Sequence, residues 1–299
     1  MRVKNNLYSN FHIQTLLFFI PALVLMLLFV IGPVIAAFSF SFTNLQLTGS
    51  AALNTKFVGL SNYVRALSDS RFYTSLLRTL VFLVFSSFIG QQLLGFIIAL
   101  LMKKRNKLIR RFTGSCVLAG WVCPEVVVGM CFVAFYARNG ALNGILSIFG
   151  IDPVPWLLGF PMVAVIVANI WRGTAFSMLM FQTALDKISP NIEEAASIDG
   201  AVSWQKLLYI TIPMIKKDIL TNMILNTLST LGVFGMIFML TRGGPGDKTQ
   251  VLSIFMYEQA FIRYQLGYGT AISVIALLLG IIINFVYLKI LNINEKTKA

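Results

Sequence analysis

Residues 186–217 read DKISPNIEEAASIDGAVSWQKLLYITIPMIKK, a polar stretch set between two long apolar runs. Ser189 is placed to N-cap a helix that opens at Pro190, where the missing proline N–H costs nothing. Glu193 and Glu194 fall in the opening turns, where the helix dipole favours carboxylates, and Gly200 supplies a C-terminal stop. The spacing predicts a helix of about three turns over 190–199. A second amphipathic piece, SWQKLLYITIP (203–213), follows it, and Pro213 is expected to break that piece before the next apolar run. Helices this short make few contacts of their own and gain stability by docking against something.

The flanking runs decide the class. Of the 299 residues, 57% are hydrophobic and 12% are charged, against about 25% charged in soluble domains. About 20 apolar residues span a bilayer, and six such windows are present, at 14–40, 75–102, 112–137, 161–185, 218–240 and 268–288. The first follows a basic start and resembles a secretion signal, but its apolar run is too long for a cleaved one. The expected fold is an all-α membrane protein with six transmembrane helices. It comprises an N-terminus (1–13), a first span (14–40), an outer segment (41–74), a five-span core (75–288) containing the 186–217 loop, and a tail (289–299).

The net charge of +13 would suit a nucleic-acid partner, but its distribution points to a membrane instead. With the N-terminus inside, the inner segments hold fifteen of the 24 Lys and Arg, the outer loops seven, and the spans two, Arg78 and Arg172. By the positive-inside rule both termini are cytoplasmic. This places the loop TRGGPGDKTQ (241–250) outside. Its Lys248-Thr249 pair imitates a phosphate-binding loop, yet the required glycines fall on Arg242 and Asp247. No ATP site is expected in this chain. Cys116, Cys123 and Cys131 lie at helical spacing in the third window, with Cys116 and Cys123 roughly 10 Å apart by helical rise. That is too far for a disulfide, so they read as buried apolar thiols. His12, the one histidine, is expected at the inner surface without a special role, and no metal is expected.

Two outer segments carry local signals. VGLSNYVRALSD (58–69) has the spacing of a short surface helix, and GALNGILSIFGIDPVPW (140–156) reads as turns that end in an interfacial Trp156.

Ionisable groups inside the hydrocarbon cost about 2.5–3.5 kcal/mol or more, so each is a functional candidate. Glu125 falls mid-way along the third window and Arg172 along the fourth, and their similar depth suggests a pair. Asn222, Asn226, Ser229 and Thr230 repeat along one face of the fifth, with Phe234 a turn beyond. Interhelical bonds of this kind contribute only about 0.6 kcal/mol each, so the stripe reads as the lining of a path, joined by Ser87 and Gln91 of the second window. Amides, hydroxyls and an aromatic ring together suit a sugar.

The loop also carries a spaced motif. Glu194-Ala195-Ala196 is followed after three residues by Gly200, and after nine more by Ile210-Thr211-Ile212-Pro213. In this it resembles the permease subunits of bacterial ABC importers, in which the motif ends Ile-x-Leu-Pro; Ile212 replaces that leucine. NGALNGILSIFGIDPVPWL, IWRGTAFSMLMFQTAL and LTRGGPGDKTQVLSIFMYEQAF extend the resemblance to the carbohydrate-uptake group, of the maltose-type larger half and its glycerol-phosphate and oligosaccharide relatives. The resemblance implies a type I importer permease fold in a bacterial cytoplasmic membrane. It implies a second homologous permease, two ATPase subunits that hold the ATP and Mg, and an extracellular solute-binding protein met by Gly243, Gly244 and Pro245. The 190–200 helix would seat in the ATPase, with Glu194, Ala195, Ala196, Asp199, Gly200, Ile210 and Pro213 as coupling residues. A charged solute anchored by Arg172, or a carrier working alone, are the alternative functions.

Overall fold

The computed structural model describes residues 18–103 and 105–296. The expectations for 1–13, for the start of the first span, for Lys104 and for Lys298 lie outside them, as does His12. Among the described residues five helices are long and apolar enough to cross a membrane, and six if one bent pair is a single span. The chain separates into two compact units.

The smaller unit holds residues up to 68 together with 256–275. Its first span, Phe18–Ser41, has nothing buried along its most apolar stretch, so its whole circumference is apolar surface. Where that helix ends, the chain is fixed by side chains. The Asn62 amide donates to the carbonyls of Ser41 at 2.9 Å and Thr43 at 2.8 Å, and the Tyr63 hydroxyl meets Ser41 Oγ at 2.6 Å. Both residues sit on the helix Ser61–Ser68, which matches the spacing in 58–69. Arg65 on the same helix lies over the Tyr268 ring, 4.1 Å from its centre.

The larger unit, 69–255 with 276–299, is built on the second span, Ser70–Lys103, and the fourth, Pro161–Asp186. These two pack closely because a Cβ on Gly95 would sit 2.4 Å from Ser177 Cβ, a separation only glycine permits. One core cluster gathers Val128, Ala164, Ala168, Met236, Ile237 and Leu240, and another gathers Ala99, Phe181, Leu185 and Ile215.

Several windows differ from expectation. The third is not one helix. Lys107–Val122 stops at Cys123, which adopts the extended φ −60°, ψ 131° favoured before a proline, and a new helix starts at Glu125. Glu125 therefore opens a helix rather than lying mid-span. Cys116 and Cys131 are exposed and Cys123 is half-buried, which overturns the buried-thiol reading; all three are free. The fifth window is also broken, into Lys216–Leu231 and Gly235–Thr241, bent by 51°. The last helix runs to Lys296, past the expected end of the span. Within 138–160 a helix, Ala141–Ile148, replaces part of the expected turns. It is organised by buried Asn143, whose amide donates to Ala137 and Val154 carbonyls while its oxygen accepts from Trp156 Nε1 at 3.2 Å.

Candidate functional site

The loop after the fourth span forms the helix Pro190–Ile198, with Asp199 as C-cap. Gly200 at φ +78° donates its N–H to Ser197, and Ala201 donates to Ala196, the two bonds of a Schellman ending. Ser189 occupies the N-cap position, but its hydroxyl makes no capping bond. Only Ala196 is buried; Glu194, Ala195 and Asp199 are exposed, and Ile198 is 86% exposed. The next stretch is helical over 203–214, with a wide turn at Leu207–Thr211 just before Pro213. Proline has no N–H to give the turn below it, and the widened turn absorbs that loss. The break consequently falls at Ile215, two residues beyond Pro213, and Lys216 starts the fifth span.

Ion pairs that the sequence reading did not anticipate tie this loop to three spans. Lys103, at the end of the second span, pairs with Glu193 of the loop helix. Arg110 pairs with Asp186, and that hydrogen bond raises the arginine further above its ordinary range. Lys187 reaches Asp218 at 2.9 Å, joining the end of the fourth span to the start of the fifth. Each pair joins residues distant in sequence, which is why spacing alone does not reveal them. The loop helix itself is tied to the end of the second span, and the residues before it to the helix Lys107–Val122 and to the start of the fifth span.

Deeper in the unit, Arg172 Nη1 donates to Glu125 Oε1 at 3.2 Å, so the two charges of similar expected depth are a pair. The other oxygen of Glu125 accepts the Gly235 N–H at 3.2 Å. One carboxylate thus joins the break in the third span, the middle of the fourth and the break in the fifth. The backbone N–H of Gly235 is left free by the end of its helix, and the carboxylate satisfies it. Arg172 Nε remains buried without a partner.

The polar stripe divides. Asn222 and Asn226 are buried, donating to Gln92 Oε1 at 3.0 Å and to Ser177 Oγ at 2.6 Å. Thr230 is buried too, whereas Ser229 is exposed. Gln91 donates to the Asn169 carbonyl at 3.0 Å, and Ser87 is buried with its hydroxyl unpartnered. Phe234 sits at the break of the fifth span, its ring stacked on Phe238 at 5.3 Å. The structure therefore brings most of these groups together as contacts between helices, and leaves Ser229 open.

The loop 241–250 is compact. Arg242, Gly243, Gly246 and Asp247 all take positive φ. Thr249 Oγ1 meets Thr241 Oγ1 at 2.6 Å and donates to the Gly244 carbonyl at 3.0 Å, and Arg71 lies 3.7 Å from Asp247. Gly243 is buried, Gly244 and Pro245 are half-buried, and Gly246, Asp247 and Lys248 are its exposed part.

Long apolar helices, two of the expected spans broken at points held by one carboxylate, with an exposed capped helix between the fourth and fifth, define a multi-pass membrane permease. Residues 91–292 match the binding-protein-dependent transport system inner membrane components, and the chain belongs to that family of ABC importer permeases. It is 35% identical over 281 residues to the trehalose/maltose transport system permease protein of Thermococcus litoralis, covering 92% of each chain. It is 28% identical to the lactose transport system permease protein of Rhizobium radiobacter, covering 94% of this chain and 95% of that one. A chain in the crystal structure of a bacterial ABC transporter that imports the acidic polysaccharide alginate superposes with a TM-score of 0.80 at 22% identity, over 97% of this chain and 98% of that one. That likeness establishes the type I importer permease fold.

Proposed function

We propose that this chain forms half of the translocation path for a carbohydrate, an oligosaccharide by preference, and couples it to ATP hydrolysis on separate subunits. The observation that carries the reading is the loop helix Pro190–Ile198, which is exposed along Glu194, Ala195 and Ile198 yet tied through Lys103–Glu193 to the second span. A rigid, capped helix with a free outer face and fixed roots moves the spans when a partner moves it. In this reading two ATPase subunits carry the ATP and Mg, and a second homologous permease completes the path. A solute-binding protein meets Gly243, Gly244 and Pro245 from outside, and the assembly lies in a bacterial cytoplasmic membrane.

Sugar as the cargo is supported by the relatives, whose names specify trehalose/maltose and lactose. The Glu125–Arg172 pair supports it as well. A charged solute anchored on Arg172 would have to displace Glu125 from a half-buried pair, whereas an uncharged sugar leaves the pair whole. Ser229, exposed beside the buried Asn226 and Thr230, is the group best placed to meet the solute.

The test is purification of the tagged chain in mild detergent, identification of what stays bound, and uptake of labelled oligosaccharides by cells with and without the chain. Retained ATPase and second permease, with sugar uptake that depends on the chain, is the expected result. A homomer without ATPase, or a complex that transports only charged solutes, would overturn it.

A further inference from the structure

A cleft of about 590 Å³ opens behind the loop helix, between the end of the second span and the helical stretch 203–214. One part of its wall is apolar, from Leu100, Leu101 and Leu207. The remainder carries three cations, Lys103, Arg105 and Lys206, and two carboxylates, Glu193 and Glu194. Lys103 and Glu193 neutralise one another as an ion pair. Lys206 donates to the Ser197 hydroxyl at 2.6 Å, and among the described residues neither Lys206 nor Arg105 makes an ion pair. The cleft wall thus combines apolar and charged side chains and carries one net positive charge.

We infer that this cleft holds an anionic phospholipid with a single net negative charge, of the phosphatidylglycerol type. The phosphodiester would lie between Arg105 and Lys206, within reach of the Ser203 hydroxyl, with an acyl chain along Leu100, Leu101 and Leu207. The net charge of the wall matches one phosphodiester. A free phosphate would leave the apolar half of the cleft unfilled, so the lipid is the better occupant. The helical stretch 203–214 has the character of a membrane-surface helix. Trp204 and Tyr209 are exposed and 6.4 Å apart, and Leu208 is exposed between them. Aromatic rings of this kind settle at the level of the headgroups, which brings the cleft to the depth at which a phosphate is found. Because the cleft bridges the second span and the loop, its occupant would brace the connection that the Lys103–Glu193 pair begins.

The experiment exposes the purified full chain, with whatever subunits it retains, to mixed micelles of phosphatidylglycerol and phosphatidylcholine, and quantifies bound lipid by mass spectrometry. Phosphatidylglycerol should be enriched, and each of Arg105→Gln and Lys206→Gln should reduce the enrichment about fivefold, the equivalent of ~1 kcal/mol per basic residue at an anionic surface. Arg105→Lys should keep most of it. The control Arg242→Gln with Lys248→Gln removes twice that charge from the loop 241–250 and should change nothing. Equal retention by the cleft variants, loss of enrichment in the control, or displacement of the lipid by inorganic phosphate would each overturn the proposal.

Discussion

The loop helix Pro190–Ile198 and the junction around Glu125 are built on opposite principles. The helix is made by neighbours in sequence: Pro190 opens it, Gly200 closes it through a Schellman pair, and most of its surface is exposed. The junction is made by residues 47 and 110 positions apart, Glu125 with Arg172 and with Gly235, at places where two spans break. A locally specified element keeps its shape while it moves. One that is specified at long range changes only when its partners separate, so the junction is the stiffer of the two and the more costly to damage.

The largest effect is therefore expected at the junction. Glu125→Leu leaves Arg172 charged and unpaired inside the unit; breaking a fully buried pair costs about 3–5 kcal/mol, and this half-buried one should approach the lower end of that range. The thermal midpoint of the purified chain in detergent should fall steeply, and adding Arg172→Leu should restore most of the loss. The exchange Glu125→Arg with Arg172→Glu rebuilds the pair but not the bond to Gly235, so it should recover transport in part. A single variant as stable as the parent would show that the pair is solvated and has no bracing role.

At the loop helix the damage should be smaller in stability and larger in coupling. Gly200→Val places a β-branched residue at φ +78°, at a cost of roughly 1–2 kcal/mol. Global stability should change little, because the ending is exposed, while transport and substrate-stimulated ATP hydrolysis should fall together. Loss of the fold with no separate effect on coupling would erase the contrast between the two regions.

The polar stripe lies between these extremes. Asn226 bonds Ser177 across helices and the Asn222 oxygen, at 3.3 Å, within its own helix, so Asn226→Leu removes one interhelical contact of about 0.6 kcal/mol and one intrahelical one. Assembly should survive with reduced uptake. Ser229 is exposed, so Ser229→Ala should leave the helix packing intact and alter uptake alone. If Asn226→Leu transports normally, the solute path lies on the Ser229 side of the helix.

What the sequence disclosed follows the same division. The capped loop helix, its glycine ending and the apolar windows were legible because they depend on spacings within a few residues. The depth match of Glu125 and Arg172 was legible because so few charges enter the spans. The break at Pro124 has a local signal as well, an X-Pro step within an apolar run, but the run on either side reads as one window. The 51° bend at 232–234 was hidden because Gly232 and Gly235 flank apolar residues that read as continuous helix. Asn222 and Asn226 looked like a lining because a single helix does not reveal that Gln92 and Ser177 stand opposite. Lys103–Glu193, Arg110–Asp186 and Lys187–Asp218 needed the packing of the spans to bring them together.

The smallest effect tests the local rule itself. Ser189 and Asp69 both stand at N-caps, where a short polar side chain ordinarily accepts a backbone N–H. Asp69 does so, accepting the Arg71 N–H at 2.9 Å at the head of the second span; Ser189 makes no such bond. Asp69→Ala should cost about 1 kcal/mol, whereas Ser189→Ala should leave stability and coupling unchanged. The difference arises because Pro190 already fixes the first turn of the loop helix and supplies no N–H there, and the exposed donors that follow are open to water. If Ser189→Ala destabilises the chain as much as Asp69→Ala, the serine hydroxyl caps the helix in solution, and the loop helix draws on its cap as well as its glycine ending.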